Sequence, residues 1–285
     1  MPVIRHLLSA LAVGALLAAT AAAAAPPRRV VSINLCTDQL ALALADPGQI
    51  AALSYLSRLA SLSFLAGNAT AFRIVRGTAE EVLKIAPDLV LAGAYSSAST
   101  RMVLAAHGVP TATFTPVTTV AEARAEIARA AALLGHPERG ARLVSEIDRA
   151  LTEAALPPGP PVLALQMQRR GFASGRETLI ADLMRRLGIV NAADALGVVS
   201  VERVPLEVAL KARPDLLILQ DEDRPPADQG AALLSHPALA AVVPPQRRAF
   251  LPYREITCAG PALPAAIRRL SGEVRRIRAA IAADR

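Results

Sequence analysis

The chain has 285 residues, 53% of them hydrophobic and 3% aromatic, with a formal net charge of +7. Its length suits one large domain or two of ordinary size around an aliphatic core. The positive charge alone would suit nucleic acid. However, the basic residues are dispersed without aromatic interleaving, and nearly all are Arg, which argues against a nucleic-acid surface.

At the N-terminus, Arg5 and His6 precede an apolar run over 7–17, small residues reach Ala25, and Pro26-Pro27 follow. This is the layout of a signal peptide with an Ala-x-Ala-like cleavage region. The uncharged stretch 7–25 is just long enough to span a membrane, but it fades into alanine and lacks a charged stop-transfer flank. The expectation is removal at about Ala25, which leaves an exported, soluble protein. No Cys lies near that point, so no lipid anchor is expected, and a periplasm is the fitting compartment. No later segment reads as a transmembrane helix.

From Arg29 onward the pattern predicts a strand over 30–34, a helix over 37–45 and a turn at Asp46-Pro47-Gly48. A short strand over 73–75, a helix over 79–86, a buried strand over 88–92, a helix over 99–107 and a strand over 109–114 follow. This rhythm implies a mainly parallel sheet covered by helices. Two long helices are then predicted over 119–134 and 137–155, separated by Gly135-His136-Pro137 and closed by the proline-rich stretch 157–161. The alternation resumes with a strand over 162–166, helices over 177–187 and 206–212, strands over 215–220 and 249–251, and a closing helix over 262–282. The fold class is therefore α/β, with two Rossmann-like lobes joined by a helical backbone and a ligand cleft between them. The divisions are 1–25 signal peptide, 26–117 first lobe, 118–158 helical linker and 159–285 second lobe.

A repeat supports two equivalent lobes. EEVLKIAPDLVLAG (80–93) aligns with LEVALKARPDLLIL (206–219), matching Glu80 with Glu207, Lys84 with Lys211 and Asp88 with Asp215. Pro87-Asp88 and Pro214-Asp215 read as structural corners that end a helix and start a buried strand. Glu81, with Thr78 in a T-x-x-E pattern, reads as a capping box. In open α/β sheets ligands sit at the carboxyl ends of the strands. The segments expected at that edge are 34–38, 93–99, 166–175 and 252–261.

The segments RVVSINLCTDQLALAL (29–44), TAEEVLKIAPDLVLAG (78–93), GFASGRETLIADLMRRLGIVNAA (171–193) and PLEVALKARPDLLIL (205–219) resemble the periplasmic substrate-binding proteins of ABC importers for ferric siderophores, haem and cobalamin. The resemblance covers the whole mature chain. It implies a receptor, not an enzyme, that delivers a metal chelate to a permease dimer, acts as a monomer and holds no resident cofactor. It also implies that an acidic residue on each lobe docks into arginine-lined sockets of the permease, and the matching positions are Glu80 and Glu207.

Candidate ligand contacts on the cleft loops are Cys36, Thr37, Asp38, Arg76 and Tyr95 from the first lobe, and Gln168, Arg170, Phe172, Arg254 and Cys258 from the second. Arginines would suit an anionic chelate, and the scarcity of aromatics tilts the expectation toward a ferric siderophore, with cobalamin or haem close behind. In an exported protein Cys36 and Cys258 could be bridged, free or ligating. The mature chain's His107, His136 and His236 have no metal-ligand spacing, so no metal site is expected. No nucleophile elbow, phosphate loop or zinc signature is present. The segment 171–175 carries a serine between glycines but reads as a turn lining the cleft. The alternatives left standing are an exported two-lobe enzyme and a ligand sensor without a transport role.

Overall fold

A computed structural model describes residues 25–220 and 232–283. Apart from Ala25, the expected signal peptide lies outside the described residues. The first lobe holds β1 (Val30–Ser32), β2 (Ile50–Ser54), β3 (Ile74–Val75), β4 (Leu89–Gly93) and β5 (Thr111–Phe114). They stand in the order β3-β2-β1-β4-β5 with every pair parallel. Helices α1 (Leu35–Leu44), α2 (Ala79–Leu83) and α3 (Ala98–Ala106) supply crossovers.

Two long helices follow, α4 (Val120–Leu134) and α5 (Pro137–Glu153). Gly135 at φ 81° ends the first, and Pro137 occupies the start of the second, where its missing N–H costs nothing.

The second lobe contains β6 (Val162–Met167), β7 (Phe172–Ser174), β8 (Ile189–Asn191), β9 (Val201–Arg203), β10 (Leu216–Leu219) and β11 (Arg248–Phe250). Its helices are α6 (Leu179–Arg186), α7 (Ala192–Ala195), α8 (Leu206–Lys211), α9 (Pro237–Val242), α10 (Tyr253–Ile256) and α11 (Leu263–Ala283). Strands β8, β6, β10 and β11 run parallel, whereas β7 and β9 pair antiparallel at the carboxyl end of β6. The segment expected as a turn at 171–175 is therefore largely strand β7. Its backbone N–H and C=O groups find partners in β6 and β9, where a free turn would leave them to water.

Strand parity assigns the apolar residues to separate cores. Val30, Leu89 and Leu91 point to one face of the first sheet and Val31 and Val90 to the other. Ala164, Leu216 and Ile218 likewise separate from Leu165, Leu217 and Leu219. The inner faces of both sheets join a single core through Ile127, Leu134 and Ile147 of the long helices and Ile267 and Val274 of α11. The lobes thus share one unbroken apolar interior.

The repeated corner has a shared geometry. Asp88 accepts backbone N–H groups of Arg28 (2.6 Å) and Arg29 (2.9 Å), at the entry to β1. Asp215 accepts the N–H of Leu163 (3.0 Å), at the entry to β6. The residues preceding the prolines, Ala86 (φ 50°) and Arg213 (φ 44°), are both left-handed. Each Pro-Asp therefore ends a helix and clamps the central strand of its sheet.

The expected capping box at 78–81 is only half made. Thr78 accepts the Glu81 N–H at 3.3 Å, but the Glu81 carboxylate takes the N–H of Arg76 at 2.8 Å instead of that of Thr78. The carboxylate thereby ties the helix start back to the end of β3.

Candidate functional site

The site begins where β1 gives way to α1. Asn34 caps the helix, its Oδ1 accepting N–H groups of Cys36 (2.9 Å) and Thr37 (3.5 Å). The helix starts at Leu35, two residues earlier than the sequence pattern indicates. That shift moves Thr37 and Asp38 off the cleft loop and into the first helical turn, facing the lobe interior.

Both are fully buried. Thr37 Oγ1 donates to the Asn34 carbonyl at 3.0 Å and shares a 2.7 Å hydrogen bond with Ser32 Oγ. Asp38 accepts from Ser54 N–H (3.0 Å) and Ser54 Oγ (2.5 Å), which ties α1 to the end of β2. Burial pushes its carboxyl up to about 7, against the opposing hydrogen bonds of Ser32 and Ser54. Neither residue lines the pocket described below, and their hydrogen bonds support the start of α1.

Cys36 and Cys258 are bonded to each other, with Cα atoms 5.1 Å apart at a separation of 222 positions in the chain. The bridge fastens the start of α1 in the first lobe to the loop after α10 in the second. A second tie crosses nearby, where Arg254 Nη1 donates to the Ala60 carbonyl at 3.3 Å.

Beside the bridge lies a pocket of about 330 Å³. Asn34, Cys36, residues 93–95 and residues 114–117 form its first-lobe wall, and Tyr253 with residues 257–260 forms its second-lobe wall. Glu126 of α4 completes it. Its volume lies at the low end for a small-molecule site, sufficient to grip part of a larger ligand.

Gly93 permits the close wall. A Cβ there would stand 2.5 Å from Asn34 Nδ2, so any larger residue would push the cap aside. Two phenols border the pocket from opposite lobes, Tyr95 at 89% exposure and Tyr253 at 38%. Among the described lining residues only Glu126 carries a formal charge.

Of the expected contacts, Cys36, Tyr95 and Cys258 border this pocket. Arg76 follows β3, and Gln168, Arg170 and Phe172 follow β6, at carboxyl ends of strands but outside the pocket lining. Phe172 is 37% exposed, Arg170 is exposed in the left-handed conformation at φ 62°, and Gln168 Nε2 reaches Ser174 Oγ at 3.5 Å. Arg254 makes the inter-lobe tie, and no arginine lines the pocket among the described residues.

Asn34, Gly93, Glu126 and Tyr253 are site residues that sequence reasoning did not single out. Tyr253 sits in a segment expected at the cleft edge and next to Arg254, which was the available signal. Glu126 lies inside a helical pattern and gave none.

The repeated acids sit apart from the pocket. Glu80 and Glu207 are exposed in the first turns of α2 and α8. Lys84 Nζ pairs with Glu80 at 2.6 Å across one helical turn, an exposed ion pair worth about 0.3–0.5 kcal/mol. His136 bonds Gln49 at 2.9 Å, and His236 accepts the Ala238 N–H as a helix cap. Those are structural tasks. No cluster of metal-ligating side chains occurs among the described residues, and no helix there is long and apolar enough to cross a membrane.

The family model described as periplasmic binding protein matches residues 30–243. No curated protein matches the sequence. Among solved structures, the apo form of the periplasmic heme-binding protein RhuT from Roseiflexus sp. RS-1 superposes with a TM-score of 0.71 at 23% identity, covering 88% of this chain and 99% of that one. The periplasmic vitamin B12 binding protein BtuF of Vibrio cholerae gives 0.66 at 16% identity, with 88% and 98% covered. A possible iron-binding periplasmic solute-binding protein from Staphylococcus epidermidis gives 0.72 at 17%, with 87% and 99% covered. At these identities the likeness establishes the two-lobe fold.

Proposed function

The chain belongs to the periplasmic binding protein family, a family of binding proteins and not of enzymes, and from that premise we propose that it is the periplasmic receptor of an ABC importer for a metal chelate of the tetrapyrrole type. The observation that carries this reading is the pair of phenols, Tyr95 and Tyr253, at an apolar pocket between the lobes. Aromatic rings can lie against the face of a macrocycle, and a tyrosine oxygen can ligate ferric iron.

The ferric siderophore favoured by the sequence moves to second place. An anionic chelate calls for arginines, and the pocket presents Glu126 instead, which among tetrapyrroles favours an amide-bearing corrinoid over a haem with free propionates. Solved structures of the same fold described as heme-binding and vitamin B12 binding agree with either tetrapyrrole class.

Titration of the mature protein with hemin and with dicyanocobinamide, followed by absorbance, should show saturable binding of one of them. Tyr253→Ala should weaken it by about tenfold or more, as for an aromatic anchor that a bound ligand covers. Binding of a ferric siderophore in place of both, or of no chelate at all, would overturn the reading.

Under the same reading the protein is exported to the periplasm by its leader, works as a monomer, and docks to the permease dimer through Glu80 and Glu207. Both carboxylates are exposed at the starts of equivalent helices, which suits a two-fold partner. The double variant Glu80→Ala/Glu207→Ala should bind ligand normally yet fail to stimulate ATP hydrolysis by the reconstituted importer. Normal stimulation would remove the docking role.

A further inference from the structure

Glu126 enters the pocket from α4, at the border between core and cleft. Its neighbours Ala123, Ile127 and Ala130 are fully buried in the shared interior, whereas Glu126 borders the pocket. The carboxylate is held by Arg129, whose Nε lies 3.3 Å from Oε1 and 3.2 Å from Oε2, and whose Nη2 lies 2.6 Å from Oε2. Arg129 is itself fixed. It sits 3.8 Å over the Phe114 ring and donates to the Thr113 carbonyl at 2.9 Å.

The arrangement is asymmetric. Oε2 carries the short bond, Oε1 only the longest one, and Arg129 does not border the pocket. Glu126, a lining residue, therefore keeps acceptor capacity that Arg129 leaves unused, beside apolar walls and without a cation among the described lining residues. Such a carboxylate attracts an N–H or O–H donor and repels a second carboxylate brought alongside it.

We infer that Glu126 is a specificity residue of the ligand site, accepting a hydrogen bond from a carboxamide-class donor on the periphery of the chelate and rejecting a chelate that places a carboxylate there. The inference rests on the reading of the pocket as a metal-chelate site.

The test compares two ligands with the same metal macrocycle and different peripheral groups. Dicyanocobinamide carries carboxamides and dicyanocobyrinic acid carries carboxylates; hemin and its bis-carboxamide form the parallel pair. The wild-type protein should favour the amide member by about tenfold or more, the effect of one charge-assisted hydrogen bond gained or lost. Glu126→Gln should bring the two members close together, with the carboxylate ligand gaining. Arg129→Met, which leaves Glu126 without its counter-charge, should widen the preference.

A merely structural Glu126–Arg129 pair would lower both affinities together and leave the ratio unchanged, which would overturn the inference, as would a wild-type preference for the carboxylate. If no member of either pair binds the folded wild-type protein, it is the chelate reading that fails, and the inference falls with it. Thermal melting of each variant checks that the comparison is made on folded protein.

Discussion

The Cys36–Cys258 bridge offers the most quantitative handle on the molecule. It closes a loop of 222 positions, and the chain-entropy relation assigns such a loop about 5 kcal/mol of destabilisation of the unfolded state. The perturbation is Cys36→Ser with Cys258→Ser, measured against the oxidised wild type and against wild type reduced before heating. For a chain of this size each kcal/mol shifts the melting temperature by roughly 2–4 °C, so a loss on the order of 10 °C is expected by scanning calorimetry. The reduced wild type should melt with the double-serine variant, since both lack the same covalent link. A second readout is kinetic. Both cysteines belong to the pocket wall, so losing the bridge frees residues 257–260 from the first lobe and should speed ligand release. A melting difference under about 2 °C would refute the reasoning, because the bridge would then contribute less than the smallest loop term at this scale. Free thiols titrated in the oxidised, unfolded protein would refute it at the first step.

Two other predictions concern the start of α1. Asp38 has its carboxyl raised from 3.8 to about 7, chiefly by burial. Between those values the folded protein holds a proton that the unfolded chain has released, so stability falls as pH rises through this window, by at most a few kcal/mol, about 4 at the limit. Asp38→Asn keeps an oxygen for the Ser54 N–H, and should leave stability near about pH 4 unchanged while raising it near about pH 8. Urea denaturation across that range measures it, and a pH-independent difference from wild type would overturn the assignment. Gly93→Ala places a Cβ 2.5 Å from Asn34 Nδ2. The displaced cap should cost about 1 kcal/mol of stability. Ligand affinity should fall as well, because Asn34 and Gly93 both border the pocket; calorimetric titration with unchanged affinity would remove this part of the wall from the site.

The sequence made the scaffold legible where a physical rule acts over a few residues. Pro87-Asp88 and Pro214-Asp215 had to end helices, and the apolar runs after them had to be buried strands. The half-sheets at β1, β4, β6 and β10 follow from those rules, as do the long helices on either side of Gly135. Local pattern falls short where distant partners decide. Asp38 in isolation looks like a loop acid because nothing local satisfies a buried carboxylate. Its partner is Ser54, at the end of β2, whose sequence Ile-Ala-Ala-Leu-Ser carries too little alternation to mark a strand. Strands β7 and β9, three residues each, are specified by pairing with one another and with β6 and not by their own pattern. The pocket is a mixed case: the segments 34–38, 93–99 and 252–261, expected at the cleft edge, contribute to its lining, whereas Glu126 comes from a helix that carried no signal. Asn34, Gly93, Glu126 and Tyr253 come from four separate elements and meet only after both sheets and the helical block have folded.

The same long-range packing bears on how a receptor of this shape could signal occupancy. A wide hinge closure needs lobes that part, yet here the inner faces of both sheets share one core through α4, α5 and α11. Opening that interior would expose buried residues such as Ile127, Leu134, Ile147 and Ile267, at roughly 1.5–3 kcal/mol for each side chain fully exposed. The disulfide and the Arg254–Ala60 contact add two ties at the cleft itself. Lobe rotation large enough to change the spacing of Glu80 and Glu207 would have to overcome all of these together. If those two acids engage the permease, they therefore do so at nearly the same separation with and without ligand. Occupancy would then be reported by the exposed turn around Tyr95, which can move without opening the core.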